Sequence, residues 1–224
     1  MKDNLSQISV VLDRSGSMES VRQATIDGFN EFIEGQKNVP GDANVTLIQF
    51  DTENSWELVF EGKPVKQAPK LTIETYKPRG GTPLHDALGH TIVDLGEKLS
   101  KIKEHDRPGK VIIVVMTDGL ENSSTKYTSS KLAEMIKHQR EVYKWEFVFL
   151  GANQDAILTG ESLNIPRHSS MSYAANTPAT ANMMRSTSAN IASYRSGQAQ
   201  NVAYSSLDRT LAMVDDDEEE KTKI

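Results

Sequence analysis

The sequence contains no cysteine in its 224 residues and no long hydrophobic run. The lack of cysteine excludes a disulfide scaffold, a thiolate zinc site and a cysteine nucleophile, and it favours a reducing compartment. The longest apolar run, residues 111–116, is far shorter than the roughly 18 residues that a membrane span requires. The first residues also lack the apolar segment of a signal peptide. We therefore expect a cytoplasmic protein without a membrane span.

An excess of positive charge is also missing. The net charge is −6, and residues 215–220 (DDDEEE) alone carry six negative charges. We predict one domain over residues 1–212 and a disordered acidic tail over residues 213–224. Because two lysines follow the acidic run, the rest of the chain is left with a net charge of about −2. This nearly neutral balance gives no reason to expect a nucleic-acid partner.

Short apolar runs alternate with segments of helical periodicity along most of the chain. Strands are predicted at residues 8–12, 45–50, 56–60, 110–117, 146–151 and 170–173. Helices are predicted from Val21, from Pro83, and over residues 129–143, 157–165 and 178–194. Thr82 and Thr177 are the predicted N-caps of the second and the last of these helices. This order predicts an α/β fold with a doubly wound, mostly parallel sheet and helices on both faces. The short gap between the second and third strands predicts one antiparallel edge strand.

Oxygen-bearing side chains follow two of the most apolar predicted strands. Asp13, Ser15 and Ser17 come at the end of the first strand. Asp118 follows the fourth strand, and Thr82 stands at the start of a helix. Because ligands bind at the carboxyl edge of such sheets, we expect these residues to meet there. Two carboxylates and three hydroxyls suit a hard cation, which would also neutralise the repulsion between the carboxylates.

The segment Asp13-Arg14-Ser15-Gly16-Ser17 resembles the D-x-S-x-S signature of von Willebrand factor type A (vWA) domains. Thr82 in the sequence GGTPL is similar to the second-loop threonine of that family, and Asp118 in TDG is similar to its third-loop aspartate. The resemblance covers about residues 6–195. It implies a Rossmann-like vWA fold with an intact metal-ion-dependent adhesion site (MIDAS). The implied metal ligands are Asp13, Ser15, Ser17, Thr82 and Asp118.

The same resemblance implies a mode of binding. A Mg²⁺ ion, with Mn²⁺ or Ca²⁺ as alternatives, would accept an Asp or Glu side chain from a partner protein. Ser15 and Ser17 would contact the ion directly, whereas the two aspartates and Thr82 would act directly or through water. Movement of the C-terminal helix on ligation, seen in related domains, is left as an open hypothesis for residues 178–194.

Five further residues flank these motifs and are candidates for a rim that contacts the partner: Arg14, Met18, His85, Glu121 and Asn122. For each of them the alternative is an ordinary role in a loop or in packing. For the five candidate ligands the alternative is helix capping and turn formation, since Ser and Thr are common at helix N-caps and in turns.

Two other functions stay open at this stage. A Mg²⁺-dependent phosphohydrolase would use Asp13 as nucleophile, but such enzymes typically carry a second aspartate where this chain has Ser15. The sequence also has no phosphate-binding loop and no nucleophile elbow, so we expect a protein that is not an enzyme. The second alternative is an accessory subunit of an AAA+ ATPase or another intracellular complex, because intracellular members of the family it resembles often work in such complexes. Stand-alone versions like this chain resemble small bacterial and phage proteins. A further idea is that the acidic tail occupies the metal site of a neighbouring molecule.

Overall fold

The computed structural model describes residues 1–152 and 155–214. The strands of this part of the chain are β1 (Lys2–Asp13), β2 (Asp42–Phe50), β3 (Glu57–Pro64), β4 (Pro108–Thr117), β5 (Glu146–Ala152) and β6 (Ser170–Tyr173). Its α-helices are α1 (Arg22–Lys37), α2 (Leu84–Lys101), α3 (Ser129–Tyr143), α4 (Ala156–Ser162), α5 (Thr177–Arg195) and α6 (Ser206–Leu211).

The six strands form one sheet in the order β3-β2-β1-β4-β5-β6. Only β3 runs antiparallel to its neighbour, and it does so at the edge, as the short gap after β2 predicts. Strand β1 pairs with β2 on one side and with β4 on the other, so the strand order reverses beside β1. The carboxyl ends of β1 and β4 are neighbours, because Leu12 lies opposite Met116. The predicted fold class is confirmed.

Two apolar layers cover the sheet. Helices α1 and α5 pack on one face and α2 and α3 on the other. The alternation along β1 explains the division, because Val10 and Leu12 face the first layer whereas Val11 faces the second. Residues 111–116 of β4 are all buried, as expected for a central parallel strand with helices on both faces.

The structure corrects both predicted helix caps. Helix α2 begins at Leu84 and has Pro83 at the N-cap position, so Thr82 lies outside the helix. Thr177 is the first residue of α5, and the cap is Asn176, whose side chain accepts a hydrogen bond from the Ala179 amide. In both helices the cap lies one residue away from the predicted threonine, a common error at helix ends.

The C-terminal part of the described chain stays attached to the domain. Helix α6, which the sequence pattern did not predict, carries a capping box between Ser205 and Asp208. The Val214 carbonyl oxygen accepts a hydrogen bond of 3.0 Å from Asn176 Nδ2. Residues 215–224 of the predicted disordered tail lie outside the described residues. Among the helices of the described part, none combines the length and the apolar character needed to cross a membrane.

Candidate metal centre

Asp13 forms the floor of the candidate site at the end of β1. Its carboxylate accepts hydrogen bonds from the Ser15 amide at 2.7 Å and from Thr117 Oγ1 at 2.5 Å. Its backbone carbonyl accepts a third, from the Tyr76 hydroxyl at 2.7 Å. The side chain of Asp13 is fully buried. One carboxylate is therefore held in a fixed orientation below the surface.

Three loops at this edge carry the candidate ligands: the first loop follows β1, the second precedes α2 and the third follows β4. The two serines of the first loop lie between Asp13 and the end of β4. Ser15 Oγ lies 3.2 Å from Ser17 Oγ, and Ser17 Oγ donates a hydrogen bond of 2.7 Å to Asp118 Oδ1. Ser15 is buried, Asp118 is partly buried and Ser17 is exposed. The oxygen atoms thus extend from the interior, at Asp13, to the surface of the protein.

Thr82 reaches the same place from the second loop. A Cβ atom built on Gly119 would lie 3.2 Å from Thr82 Oγ1 and 3.9 Å from Ser17 Oγ. Both hydroxyls therefore border the space beside Gly119, which lacks a side chain. The structure brings all five predicted ligands together at the carboxyl edge of the sheet, whereas their role as ligands stays a prediction.

Backbone hydrogen bonds hold the three loops against one another. The Gly16 amide donates to the Gly80 carbonyl at 3.0 Å, which joins the first loop to the second. The Thr82 amide donates to Asn122 Oδ1 at 2.9 Å, and the Asn122 amide donates to the Thr82 carbonyl at 3.2 Å. These contacts fix the position of Thr82 although it caps no helix.

Burial dominates the electrostatics of the two acids in the site. Burial raises the pKa of Asp13 to about 6, against the hydrogen bonds from Thr117 and Ser15, and the charge of Asp118 raises it further. Burial also raises the pKa of Asp118. Within the described ranges, no Lys, Arg or His forms an ion pair with either carboxylate. The two negative charges therefore lack a compensating cationic side chain among the described residues.

The candidate ligand set fits a hard divalent cation. It consists of carboxylate and hydroxyl oxygens only, which are the donors that Mg²⁺, Mn²⁺ and Ca²⁺ prefer. A site built on three or more His, Cys, Asp or Glu side chains does not occur in the part of the chain that the structure describes. This centre differs from such sites because three of its five donors are neutral hydroxyls.

Comparison with known proteins identifies the family. The family model of the von Willebrand factor type A domain matches residues 8–121, a span that includes all five candidate ligands. The chain belongs to the vWA domain family. No curated protein matches the chain.

Solved structures share the vWA fold at low sequence identity. The vWA protein of Catenulispora acidiphila is 15 % identical with a TM-score of 0.54, over 83 % of this chain and 42 % of its own. Proximal thread matrix protein 1 of the mussel byssus, in a structure with a zinc-occupied MIDAS motif, is 11 % identical with a TM-score of 0.55, over 84 % and 46 %. The pilus adhesin SpaC of Lactobacillus rhamnosus GG is 16 % identical with a TM-score of 0.56, over 84 % and 30 %. This chain thus spans less than half the length of these proteins.

Two residues of the predicted rim are buried in this vWA domain. Met18 is inaccessible within the core, and Arg14 is 5 % exposed. The Arg14 guanidinium forms ion pairs of 2.7 Å with Asp51 and with Glu57, so it points toward β2 and β3 and not toward a partner. The prediction that these two side chains contact a partner is corrected, because neither reaches the surface.

The other three predicted rim residues border the second and third loops. The Glu121 carboxylate accepts hydrogen bonds of 2.8 Å from the amides of His85 and Ser123. Asn122 is exposed, and His85 is partly buried beside Glu121. Glu121 and Asn122 therefore have a role in loop structure, and their contact with a partner stays a prediction.

Three positioning residues of the site were missed in the sequence. Thr117 and Tyr76 hold Asp13, and Asp86 accepts hydrogen bonds from the amides of residues 125, 126 and 127. Thr117 was visible as the last residue of a predicted strand. No local pattern marks Tyr76, since it acts across 63 residues of sequence from a loop without regular structure.

Proposed function

We propose that this vWA domain is a protein-binding module that holds a divalent cation and through it captures an acidic side chain of a partner protein. The observation that carries the proposal is the meeting of Asp13 and Asp118 with three hydroxyls at one edge of the sheet, where the described part of the chain supplies no cationic partner. Uncompensated buried carboxylates are costly, and a bound cation would relieve that cost.

Each side chain has a distinct part in this proposal. Asp13 supplies the buried negative charge, and Thr117 and the Ser15 amide keep its two oxygens oriented. Ser17 and Asp118 supply oxygens near the surface, where a partner has access. When bound, the cation supplies positive charge and coordination positions for a carboxylate oxygen.

The charge balance favours an acidic partner. Only two of the five candidate ligands are charged, so the negative charge around a divalent ion would not exceed the charge of the ion itself. Such an ion attracts a further carboxylate more strongly than a solvated lysine would, because it is a doubly charged centre at short distance. We propose Mg²⁺ as the resident ion, with Mn²⁺ and Ca²⁺ as alternatives of the same donor preference.

The relatives support the class of function. One structure carries zinc in its MIDAS motif, and another is a pilus adhesin. We propose a binding role without catalysis for this chain, in the cytoplasm, with a protein partner. An accessory role in an AAA+ ATPase complex would use the same site and is one setting for it.

The test is capture of a partner that depends on the ion. The immobilised full chain should retain a partner in Mg²⁺ and release it in EDTA, and Asp118→Ala should retain none. In the captured partner, replacement of one Asp or Glu by Asn or Gln should abolish binding, whereas neighbouring acidic residues should be replaceable. Retention that is equal in Mg²⁺ and EDTA, or equal for Asp118→Ala, would contradict the proposal.

A further inference from the structure

A cleft opens at the amino-terminal edge of the sheet, at the opposite end of β4 from the candidate metal centre. It lies between the C-terminal parts of α2 and α3, beside Pro108 at the start of β4 and Trp145 just before β5. Its volume of about 270 Å³ is close to the lower limit of about 300 Å³ for small-molecule pockets. Strand β4 has ten residues, so the cleft and the metal centre are roughly 30 Å apart.

This basal cleft combines apolar and aromatic walls with one cationic side chain. Val111 and Trp145 are each 5 % exposed, whereas Tyr143 is 56 % exposed, so the cleft runs from the interior to the surface. The His138 ring lies edge-on to the Tyr143 ring, with 5.6 Å between their centroids. The main side chains that line the basal cleft are Leu99, Arg107, Val111, His138, Tyr143 and Trp145.

The cation of the basal cleft has no acidic partner. Arg107 Nε donates a hydrogen bond of 2.9 Å to the Ile102 carbonyl, and Nη2 donates one of 3.2 Å to the Ser100 carbonyl. Among the described residues, its Nη1 has no protein acceptor and no carboxylate pairs with the guanidinium, since the adjacent Asp106 pairs with Lys2 at 3.2 Å. No acidic side chain lines the cleft. Its charge therefore favours an anion.

Gly96 leaves space in the basal cleft. It lies inside α2, where glycine costs about 1 kcal/mol relative to alanine. A Cβ atom built on Gly96 would meet no heavy atom within 4 Å. Gly89 in the same helix is different, because a Cβ atom there would lie 2.6 Å from the Tyr127 ring. Packing thus requires glycine at position 89 but not at position 96, where the open space belongs to the cleft.

The charges along α2 and α3 define where a negative group would lie. Beyond Gly96 the groove between these helices is lined by Glu97 and Glu134, which disfavour an anion. Arg107 lies at the other end and favours one. A ligand with one negative group and an apolar body would therefore place the negative group at Arg107 and the body against Trp145.

We propose that the basal cleft binds a small organic carboxylate, which accepts a hydrogen bond from Arg107 Nη1 and packs its apolar body against Leu99 and Trp145. This second site goes beyond the proposed function, because it lies at the opposite edge of the sheet and needs no metal ion. Aliphatic and aromatic acids share the required chemistry, and the experiment below distinguishes them.

The indole signals of the two tryptophans test occupancy of the basal cleft. In the ¹⁵N-labelled full chain, titration with octanoate or with 2-naphthoate should shift the Trp145 indole signal until it saturates. Trp56 lies outside the cleft, and its signal should stay in place. With about ten non-hydrogen atoms, octanoate should saturate the cleft at about millimolar concentration. The tighter of the two probes identifies the ligand as an aliphatic or an aromatic acid. No shift of Trp145 with either probe would overturn the proposal.

A neutral probe and a charge variant test the role of Arg107. 1-Octanol should bind about tenfold more weakly than octanoate, because it cannot accept a charge-assisted hydrogen bond. Arg107→Met should weaken octanoate binding about tenfold and leave 1-octanol binding unchanged. The matched control Lys103→Gln removes an exposed positive charge nearby that does not line the cleft, and it should bind octanoate like wild type. Equal affinity of wild type for octanoate and 1-octanol would overturn the proposal.

A variant that fills the cleft tests the proposal without touching Arg107. Gly96→Leu places a side chain in open space and improves helix propensity, so the fold should persist while octanoate and 2-naphthoate binding is lost. Octanoate binding by Gly96→Leu at the wild-type affinity would overturn the proposal. Wild type in EDTA and Asp118→Ala should both bind octanoate like wild type in Mg²⁺, so failure of the metal centre would leave this result unchanged.

Discussion

Two buried aspartates at the same edge of the sheet have opposite surroundings. Asp51, just after β2, is fully buried, and its carboxylate lies 2.7 Å from Arg14 Nε and 2.9 Å from Arg79 Nε. Burial by itself raises the pKa of Asp51, but the Asn54 amide and the two guanidinium groups outweigh it, and the pKa is lowered. Asp13, equally buried, has no such cation among its described neighbours, and its pKa is raised to about 6.

The two aspartates thus differ in charge compensation within one cluster of loops. The Asp51 region compensates its charge internally and so holds the first and second loops in place, since Arg14 belongs to one and Arg79 to the other. No cationic side chain of the described residues pairs with Asp13, although hydrogen bonds from the Ser15 amide and Thr117 orient its carboxylate. A buried carboxylate without a cationic side chain beside it is the arrangement expected for a site that binds an external cation.

The largest effect should come from breaking the compensated region. Replacing Arg14 by Met leaves Asp51 and Glu57 without their buried partner, and we expect a loss of about 3–5 kcal/mol in the free energy of unfolding. Urea denaturation measures it. The matched control is Arg79→Met, whose side chain is 42 % exposed and should cost less than about 1 kcal/mol. Equal losses for the two variants would show that burial of Arg14 does not matter.

The opposite sign is expected in the uncompensated region. Asp13→Asn removes a charge that the fold disfavours, so in EDTA at pH 8 it should stabilise the protein by about 2–3 kcal/mol, as follows from a pKa moved from 3.8 to about 6. The matched variant Asp51→Asn should destabilise the protein under the same conditions. If both substitutions destabilise, the comparison between the two regions fails.

The pH dependence follows from the same raised pKa. The folded state binds the Asp13 proton more tightly than the unfolded state, so Asp13 lowers stability as pH rises from about 4 to about 6. Above about pH 6 the loss of stability caused by ionised Asp13 stays constant. The stability difference between Asp13→Asn and wild type in EDTA should therefore be near zero at pH 4 and complete by pH 7. A difference that is already complete at pH 4 would contradict the raised pKa.

The smallest effect is predicted at Gly119. Alanine there would place a methyl group 3.2 Å from Thr82 Oγ1, beside the proposed ligands and away from the core. We expect Mg²⁺ affinity to fall about tenfold, equivalent to about 1.4 kcal/mol, with little change in the stability of the metal-free protein. Calorimetric titration and urea denaturation provide the two values. Unchanged affinity would place the ion away from Gly119.

The sequence was sufficient to predict the parts of the fold that depend on local pattern. The apolar run of β4 predicted a strand buried on both faces, and the end of β1 at Asp13 predicted the edge of the sheet where the five side chains meet. These predictions worked because neighbouring parallel strands present their carboxyl ends together.

Other features depend on contacts between distant residues and could not be predicted. Arg14 was expected at the surface, yet its ion-pair partner Asp51 lies 37 residues away, and no local pattern reveals such a pairing. The role of Tyr76 beneath Asp13 has the same cause. The start of α2 was misplaced because Thr82 is held by Asn122, 40 residues further along the chain, and not by its own helix.

The most direct test of the central claim is calorimetric titration of the protein with Mg²⁺, using Asp118→Ala as the comparison. We predict one ion per wild-type chain and none for Asp118→Ala, whose fold should persist because the substitution lies at the edge of the sheet. At a Mg²⁺ concentration 100 times the dissociation constant, wild type should gain about 2.7 kcal/mol of stability. Equal binding by the two proteins, or no binding by wild type, would contradict the account.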